Sequence, residues 1–525
     1  MMRITNAMMT SNTKNNININ KLNEDRLNTQ IATGQVISRP SEDPVVAIRA
    51  LRLNTNLSQL TQYYKKNIPD AQAWMNVTET ALKQTDQIFT NIKENLTAGA
   101  SDNHTANDRQ KILESLKGLR AELYSSGNAD YAERTVFTGY RTGESLTFLE
   151  TDTETKEANA KSEYQIRENF DVKELDKLNY VTSYKTTPDE TDVKQIEIPR
   201  IRLAYDNLNY SDGDSVNFYY YNKATGSAPD YMVPLTLTAK SIAGKTQEDI
   251  DTIYSSVGDN AGILIPETGE ILFGKDIAQT IQTQANSPEA KPAYLDYNKN
   301  SWKSGDLRPE HYFACIQNPT ATDPKDKICY NYELDPTTGK PDPSKPKFEN
   351  QNLEVEISFN QKITINTHAN EVYTHDIGRD IDELITATQS VVDADERVQA
   401  LEKKLAAASD AAKPAIQKEL DAANKEYSLK KSKMQKLFSA ALDTFDGYSD
   451  RNNLAIANIG SLQSRLTITK ERVADQLQSF KELADANINA ELTESSIDFS
   501  SAKLALEAAQ LAAGKIAQQT LLNYL

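Results

Sequence analysis

The chain has 525 residues, a formal net charge of −17, 38% apolar and 25% charged residues, and two cysteines. That length exceeds one ordinary domain and suggests roughly three or four domain-sized units. The acidic surplus excludes a nucleic-acid binder, whose affinity would rest on Lys and Arg displacing counterions.

The first sixteen residues, MMRITNAMMTSNTKNN, hold no continuous apolar run, so a cleaved secretory signal is not expected. No segment reaches the roughly 18 to 20 apolar residues of a membrane-spanning helix, and no membrane partner is expected. Residues 1–45 are rich in Asn and Thr, with Ile4, Ile17, Ile19, Leu22, Leu27 and Ile31 scattered among them. Such a segment is too weakly apolar for a stable lone helix and should order only when a partner covers it.

After the turn-like SRPSEDP, apolar or small residues recur at Val46, Ala50, Leu53, Leu57, Leu60 and Tyr64, alternately four and three apart. That is a heptad seam. It resumes at Ile68, Ala71, Met75, Thr78, Leu82, Thr85, Phe89, Ile92 and Leu96, but the step from Tyr64 to Ile68 is an extra four. This stutter beside Pro69 predicts local unwinding or a kink in a helix of about 75 Å. Gly99 and SDNHTAND then mark a stop, and Ile112, Leu116, Leu119 and Leu123 mark a shorter helix. Trp74 beside Met75 reads as packing.

Fourteen of the 18 prolines lie between Pro188 and Pro346, so the middle is helix-poor and the ends helix-rich. LIPETGEILFG (264–274) and LEVEISF followed by KITIN (353–366) carry hairpin chemistry, and Tyr205, Tyr210, Phe218 to Tyr221 and Tyr231 favour strands. Residues 335–352 read as an exposed loop, and Trp302 lies in a polar stretch where it could touch a glycan or a partner. Cys315 and Cys329 suffice for at most one bridge, and both the bridged and the free state stay open.

Helical periodicity returns at Leu384, Val391, Val398 and Leu405, breaks near Pro414, and continues through Leu420, Tyr427, Met434 and Ala441. A further seam follows at Ile459, Leu462, Leu466, Thr469, Val473, Leu477, Phe480 and Ala484. The last helix, 490–525, is rich in Ala and Leu. Seams from opposite ends of the chain cannot stay in water, so they should pack together. The expected fold class is α+β: a long antiparallel helical bundle or coiled coil built from both chain ends, with one or two inserted β-rich domains. The expected segments are 1–45, a terminal assembly segment pairing with 490–525, and 46–145, the N-terminal arm. A β-rich insert at 146–378, a coiled-coil extension at 379–446, the C-terminal arm at 447–489 and the terminal assembly helix at 490–525 follow. The bundle seam is expected at Val46, Leu53, Leu57, Leu60, Met75, Leu82, Phe89, Leu466, Val473, Leu477 and Phe480.

The chain offers no catalytic, cofactor or metal motif. His104, His311, His368 and His375 fall in no HExxH pattern, and neither a phosphate loop nor a GxSxG elbow occurs. The many carboxylates read as solvated surface, and no enzyme is expected.

MRITNAMM, SRPSEDPVVAIRALRL and TVFTGYRTGESLTF near the start, with RLTITKERVADQLQSF and LEAAQLAAGKIAQQTLLNYL near the end, resemble the flagellin-like family of flagellar axial proteins. The likeness covers about the first 145 and last 80 residues, in the family's order. Within the family, Pro40 and Pro44 around an acidic turn, Gly139 in VFTGY and the ending LLNYL look like the protein of the hook-filament joint. The resemblance implies a structural adaptor between the hook-side ring and the filament. Its partners would be a hook-associated junction protein on the hook side, flagellin on the filament side, copies of itself in a ring, and a cytoplasmic export chaperone. It also implies type III export without a cleaved signal and an extracellular location. Assembly contacts are then expected at Ile4, Ile19, Leu22, Leu27, Ile31, Leu504, Leu511, Ile516 and Leu525. A filament flagellin, or an axial protein whose insert binds a glycan or host surface, is the alternative.

Overall fold

The computed structural model describes residues 6–101, 105–149, 163–183, 192–227, 230–323, 325–348 and 351–522, excluding the side chains of 6 and 516–522. By contact density the described chain forms two units, residues 1–72 with 354–363 and 462–525, and residues 73–353 with 364–461.

The first unit opens with α1 (Asn6–Thr33), which ends at Gly34 in the left-handed region at φ 69°. Only a residue without Cβ takes that conformation cheaply, so the glycine stops the helix. The acidic turn that follows is a helix start. Asp43 accepts the N–H groups of Val45 and Val46 at 2.9 and 3.1 Å and caps α2 (Pro44–Gln62), with Pro44 where a missing donor costs nothing.

The stutter appears as a π-helical turn, Tyr63–Asn67, in which the Ile68 N–H donates to the Tyr63 carbonyl. Pro69 has no N–H to continue the α-ladder, and widening the turn absorbs the mismatch. The hairpin β15 (Glu354–Ser358) and β16 (Gln361–Thr364) is held against this turn. Tyr63 donates to a Glu356 carboxylate oxygen at 3.0 Å, Asn67 donates to the Glu356 carbonyl at 2.8 Å, and Phe359 meets the Tyr63 ring edge-on at 5.8 Å.

The second unit contains most of α3 (Ile68–Ala100) and all of α4 (Ala106–Ser126). Thr105 and Asp108 form a reciprocal capping box at the start of α4. A small ribbon, β1 (Asp130–Tyr131) and β2 (Arg134–Thr135), precedes the strands β3 (Tyr164–Phe170), β4 (Asp176–Val181), β5 (Gln195–Arg202), β6 (Ser215–Tyr221) and β7 (Met232–Ala239). Helix α5 (Gln247–Ser255), strands β8 (Gly262–Ile265) and β9 (Glu270–Phe273), helix α6 (Lys275–Ala285) and strands β10 (Ala293–Lys299), β11 (Ala314–Gln317) and β12 (Ile328–Tyr330) follow. These strands make one ten-stranded sheet in the order β12-β11-β3-β10-β6-β7-β8-β9-β5-β4, antiparallel except where β7 meets β8. The β8–β9 hairpin turns at Gly269, φ 62°, where a Cβ would meet the Tyr205 carbonyl. One sheet face closes with α6 over a core of Ile166, Phe218, Leu237, Leu264, Ile281 and Leu295.

Trp302 belongs to that core. It stacks on Phe148 at 4.4 Å and meets Tyr164 and Tyr205 edge-on, so it is buried away from any glycan or partner. Cys315 lies opposite Tyr330 and Ile316 opposite Cys329. Because side chains alternate faces along a strand, the two thiols point to opposite sides of the sheet, and both are free. Residues 335–352, expected as a loop, contain the strand β14 (Pro341–Pro346), which pairs with β13 (Tyr332–Leu334). Prolines at 341, 343 and 346 are tolerated because a two-stranded ribbon leaves one edge of β14 without a partner that needs its donors.

After the short turn α7 (Ala369–Val372) come α8 (His375–Ala406), α9 (Lys413–Ile488) and α10 (Leu492–Leu522). Helices α8 and α9 form a hairpin around Val398, Leu401, Leu420 and Ala423. The 76-residue α9 runs unbroken across the segment boundary expected at 446/447, and Gly447 and Gly460 sit within it without ending it. Along α3 and α9 the Phe89 and Phe445 rings lie 6.3 Å apart and Asn452 donates to the Leu82 carbonyl at 3.0 Å. Gly99, read as a stop, lies one residue inside α3, where a Cβ would fall 2.2 Å from the Phe438 ring.

Candidate functional site

The two chain termini meet as a pair of helices. Val36 N–H donates to the Ile488 carbonyl at 2.8 Å and Ala490 N–H to the Gly34 carbonyl at 2.9 Å, so the connections into α1 and α10 run side by side. A Gln35–Asn489 bridge completes this antiparallel clasp, and α1 and α10 pack along their lengths. The covered positions on α1 are Thr13, Ile17, Asn20, Glu24, Leu27 and Ile31, and on α10 Ser495, Phe499, Ala502, Leu506, Ala509 and Ala513. Both series step alternately by four and three, the pattern of a two-stranded coiled coil. Small residues on α10 let the backbones approach, and Asn20 reaches the Ala505 carbonyl at 3.4 Å.

The seam is weak. Half of its α1 positions are polar, and Leu27, Leu506 and Ser495 alone on the two helices are fully buried among the described residues. No ion pair is found in either helix among the described residues.

Each helix also carries apolar residues on the opposite side. Met8, Ile19 and Leu22 on α1, and Ile497, Leu504 and Leu511 on α10, are exposed, with Leu22 and Leu511 70% and 71% accessible. Ile497, Leu504 and Leu511 are seven apart, and one hundred degrees per residue places them about 180° from Leu506 and Ala502. Helix α2 adds exposed Val45, Ile48 and Leu51, and the end of α9 adds Ile468 and Leu483. Fourteen of the twenty large apolar side chains exposed among the described residues fall in this unit, which holds little more than a quarter of the chain. A concentration of that kind makes this unit the candidate docking surface.

Of the expected assembly residues, Ile19, Leu22, Leu504 and Leu511 lie on the uncovered stripes. Leu27 and Ile31 lie in the α1–α10 seam instead, Leu27 buried and Ile31 half-buried. Ile4 and Leu525 lie outside the described residues, as does the side chain of Ile516. Met8, Val45, Ile48 and Ile497 were absent from the expectation. A helical-wheel reading of α1, α2 and α10 that separates the covered from the uncovered side would have found them. Of the expected seam, Leu60, Met75, Leu82, Phe89, Leu466 and Val473 are buried, whereas Val46, Leu53, Leu57, Leu477 and Phe480 are half-buried. Within the first unit, Asn487 donates to the Val46 carbonyl at 3.2 Å and Lys470 to the Gln72 side chain at 3.1 Å, placing α2 and the first turn of α3 beside the end of α9.

Residues 4–142 match the model of the bacterial flagellin N-terminal helical region. Over 142 residues the chain is 27% identical to flagellar hook-associated protein 3 of Salmonella typhimurium, and equally to that of Escherichia coli K12. Each alignment covers 27% of this chain and 44% of the relative, so the match spans less than half the length of these proteins. A crystal structure of flagellar hook-associated protein 3 from Legionella pneumophila aligns over 83% of this chain and 97% of that one, at 8% identity and a TM-score of 0.30. That score is too low for a shared global arrangement.

Proposed function

We propose that the chain is a structural component of the bacterial flagellum, an adaptor joining the hook-side junction ring to the flagellin filament. The observation that carries this reading is the terminal helix pair, with one stripe of each helix spent on its partner and an apolar stripe on the opposite side uncovered. In a ring or tube, such stripes would be covered by the same helices of neighbouring subunits, by the hook-associated junction protein on one side and by flagellin on the other. The role is scaffolding, not catalysis, and needs no cofactor.

Passage through the flagellar export channel, guarded by a cytoplasmic chaperone and without a cleaved signal, would suit terminal helices whose own seam is weak. The protein would then reside in the extracellular flagellum. Immunogold labelling of isolated flagella checks the assignment. One cluster of label at the hook-filament boundary is expected, and label along the whole filament would make the chain a flagellin.

A further inference from the structure

The second unit contains a cavity of about 410 Å³ between the β4–β5–β9 end of the sheet and helices α8 and α9. Its walls are charged, and most charges are matched within the protein. Arg200 is held by Asp176 at 2.6 Å, Glu270 at 2.7 Å and Glu383 at 2.7 Å, while Arg202 pairs with Glu383 at 2.8 Å and with Asp380. Two cations on the wall are not matched. Among the described residues Lys433 makes no hydrogen bond or ion pair, and Arg379 meets no carboxylate. The Arg379 guanidinium donates to the Thr268 carbonyl, and its buried Nε has no acceptor. Burial holds both groups below their ordinary ranges, against the opposing pull of Glu383 and Glu270 on Lys433 and of Asp206, Asp382 and Glu270 on Arg379.

The remaining wall offers acceptors. Thr386 and Ser390, both on the wall, spend their hydroxyl protons on the Asp382 and Ala387 carbonyls, each at 2.8 Å, which leaves their oxygens able to accept. The Glu383 carboxylate adds further acceptor capacity. A ligand complementary to this lining carries one anionic group for the two cations and several O–H donors for the oxygens. The volume far exceeds what an inorganic anion fills, a water's share being about 30 Å³.

We propose that this cavity binds an acidic sugar residue, its carboxylate held by Lys433 and Arg379 and its hydroxyls donating to Thr386, Ser390 and Glu383. The site is independent of the terminal helices and does not rest on the junction assignment. Its features are charge-assisted recognition of a carboxylate and hydroxyl-by-hydroxyl reading of the ring.

The test is calorimetric titration of the full-length protein with D-glucuronate, D-glucose and inorganic sulfate. Glucuronate is expected to bind saturably, with glucose and sulfate each weaker by about tenfold or more, since each lacks one half of the match. Lys433→Met should weaken glucuronate by about tenfold or more, while Lys433→Arg retains it and near-UV circular dichroism shows both folds intact. Equal affinity for glucose and glucuronate, or for sulfate and glucuronate, overturns the proposal. So does the absence of saturable binding, or full binding by a folded Lys433→Met protein. The comparison of the three ligands on the wild-type protein decides the matter even if a variant fails to fold.

Discussion

At the scale of single residues, burial separates positions that a heptad register treats alike. Leu57 and Leu60 are neighbours on one seam, but Leu57 is half-buried and Leu60 is fully buried. An unpaired charge is costly only where water is excluded. Leu60→Asp should therefore destabilise the first unit by about 3 kcal/mol or more and Leu57→Asp by about 1 kcal/mol. Urea unfolding followed by circular dichroism checks this, and equal losses would contradict it. A second residue-scale expectation concerns His311, buried beneath Arg141 and Arg308 and held neutral, its pKa lowered to about 3 chiefly by desolvation. Its ring lies 3.2 Å from the Ser145 carbonyl, the geometry of a neutral N–H donor. In the unfolded chain a histidine gains its proton near pH 6.5, so between there and about pH 3 the unfolded state binds the extra proton. Stability is then fully present above about pH 6.5 and falls with decreasing pH by up to about 1.4 kcal/mol per unit. His311→Gln keeps the donor and removes this slope. The difference in melting temperature between wild type and variant should therefore shrink steadily from pH 7 to pH 4, and a constant difference would show that His311 titrates normally.

At the scale of elements, strong local signals were legible and interactions between distant segments were not. The proline-flanked acidic turn, the stutter before Pro69 and the ETG hairpin each have a chemistry confined to a few residues, and each appears as a cap, a π-turn and a β-turn. The single α9 helix, the ribbon that takes up Pro341–Pro346 and the burial of Trp302 depend on partners far along the chain, which periodicity does not report. The same limit affects the insert, expected as one module over 146–378. The β15–β16 hairpin lies within that range and yet belongs to the first unit, against the π-turn. An insert deletion from 146 to 378 therefore also removes a brace from the terminal unit. Replacing only 354–363 with a Gly-Ser linker should accelerate amide exchange around residues 60–70 while leaving the ten-stranded sheet protected. Unchanged exchange at the π-turn would mean the hairpin carries no structural weight there.

At the scale of the whole molecule, function is assigned to surfaces the monomer leaves uncovered. The α1–α10 seam is half polar on α1 and has no ion pair among the described residues, so in isolated protein these helices should exchange amide hydrogens faster than α3 and the middle of α9. Protection of α1 and α10 equal to that of α3 would contradict coupling between assembly and ordering. The resemblance of the N-terminal segment was readable from short stretches such as SRPSEDP, whereas the charged cavity was not, because its walls come from strands and helices some two hundred residues apart. The claim that the uncovered stripes make the joint is tested most directly by the double variant Leu504→Asp, Leu511→Asp in cells lacking the native copy. Both side chains point away from the α1–α10 seam, so the purified variant should keep the circular dichroism and melting of the wild type. The account predicts that these cells export the variant normally yet release unpolymerised flagellin and grow no filament, as counted by electron microscopy. Filaments of normal number and length on such cells would contradict it.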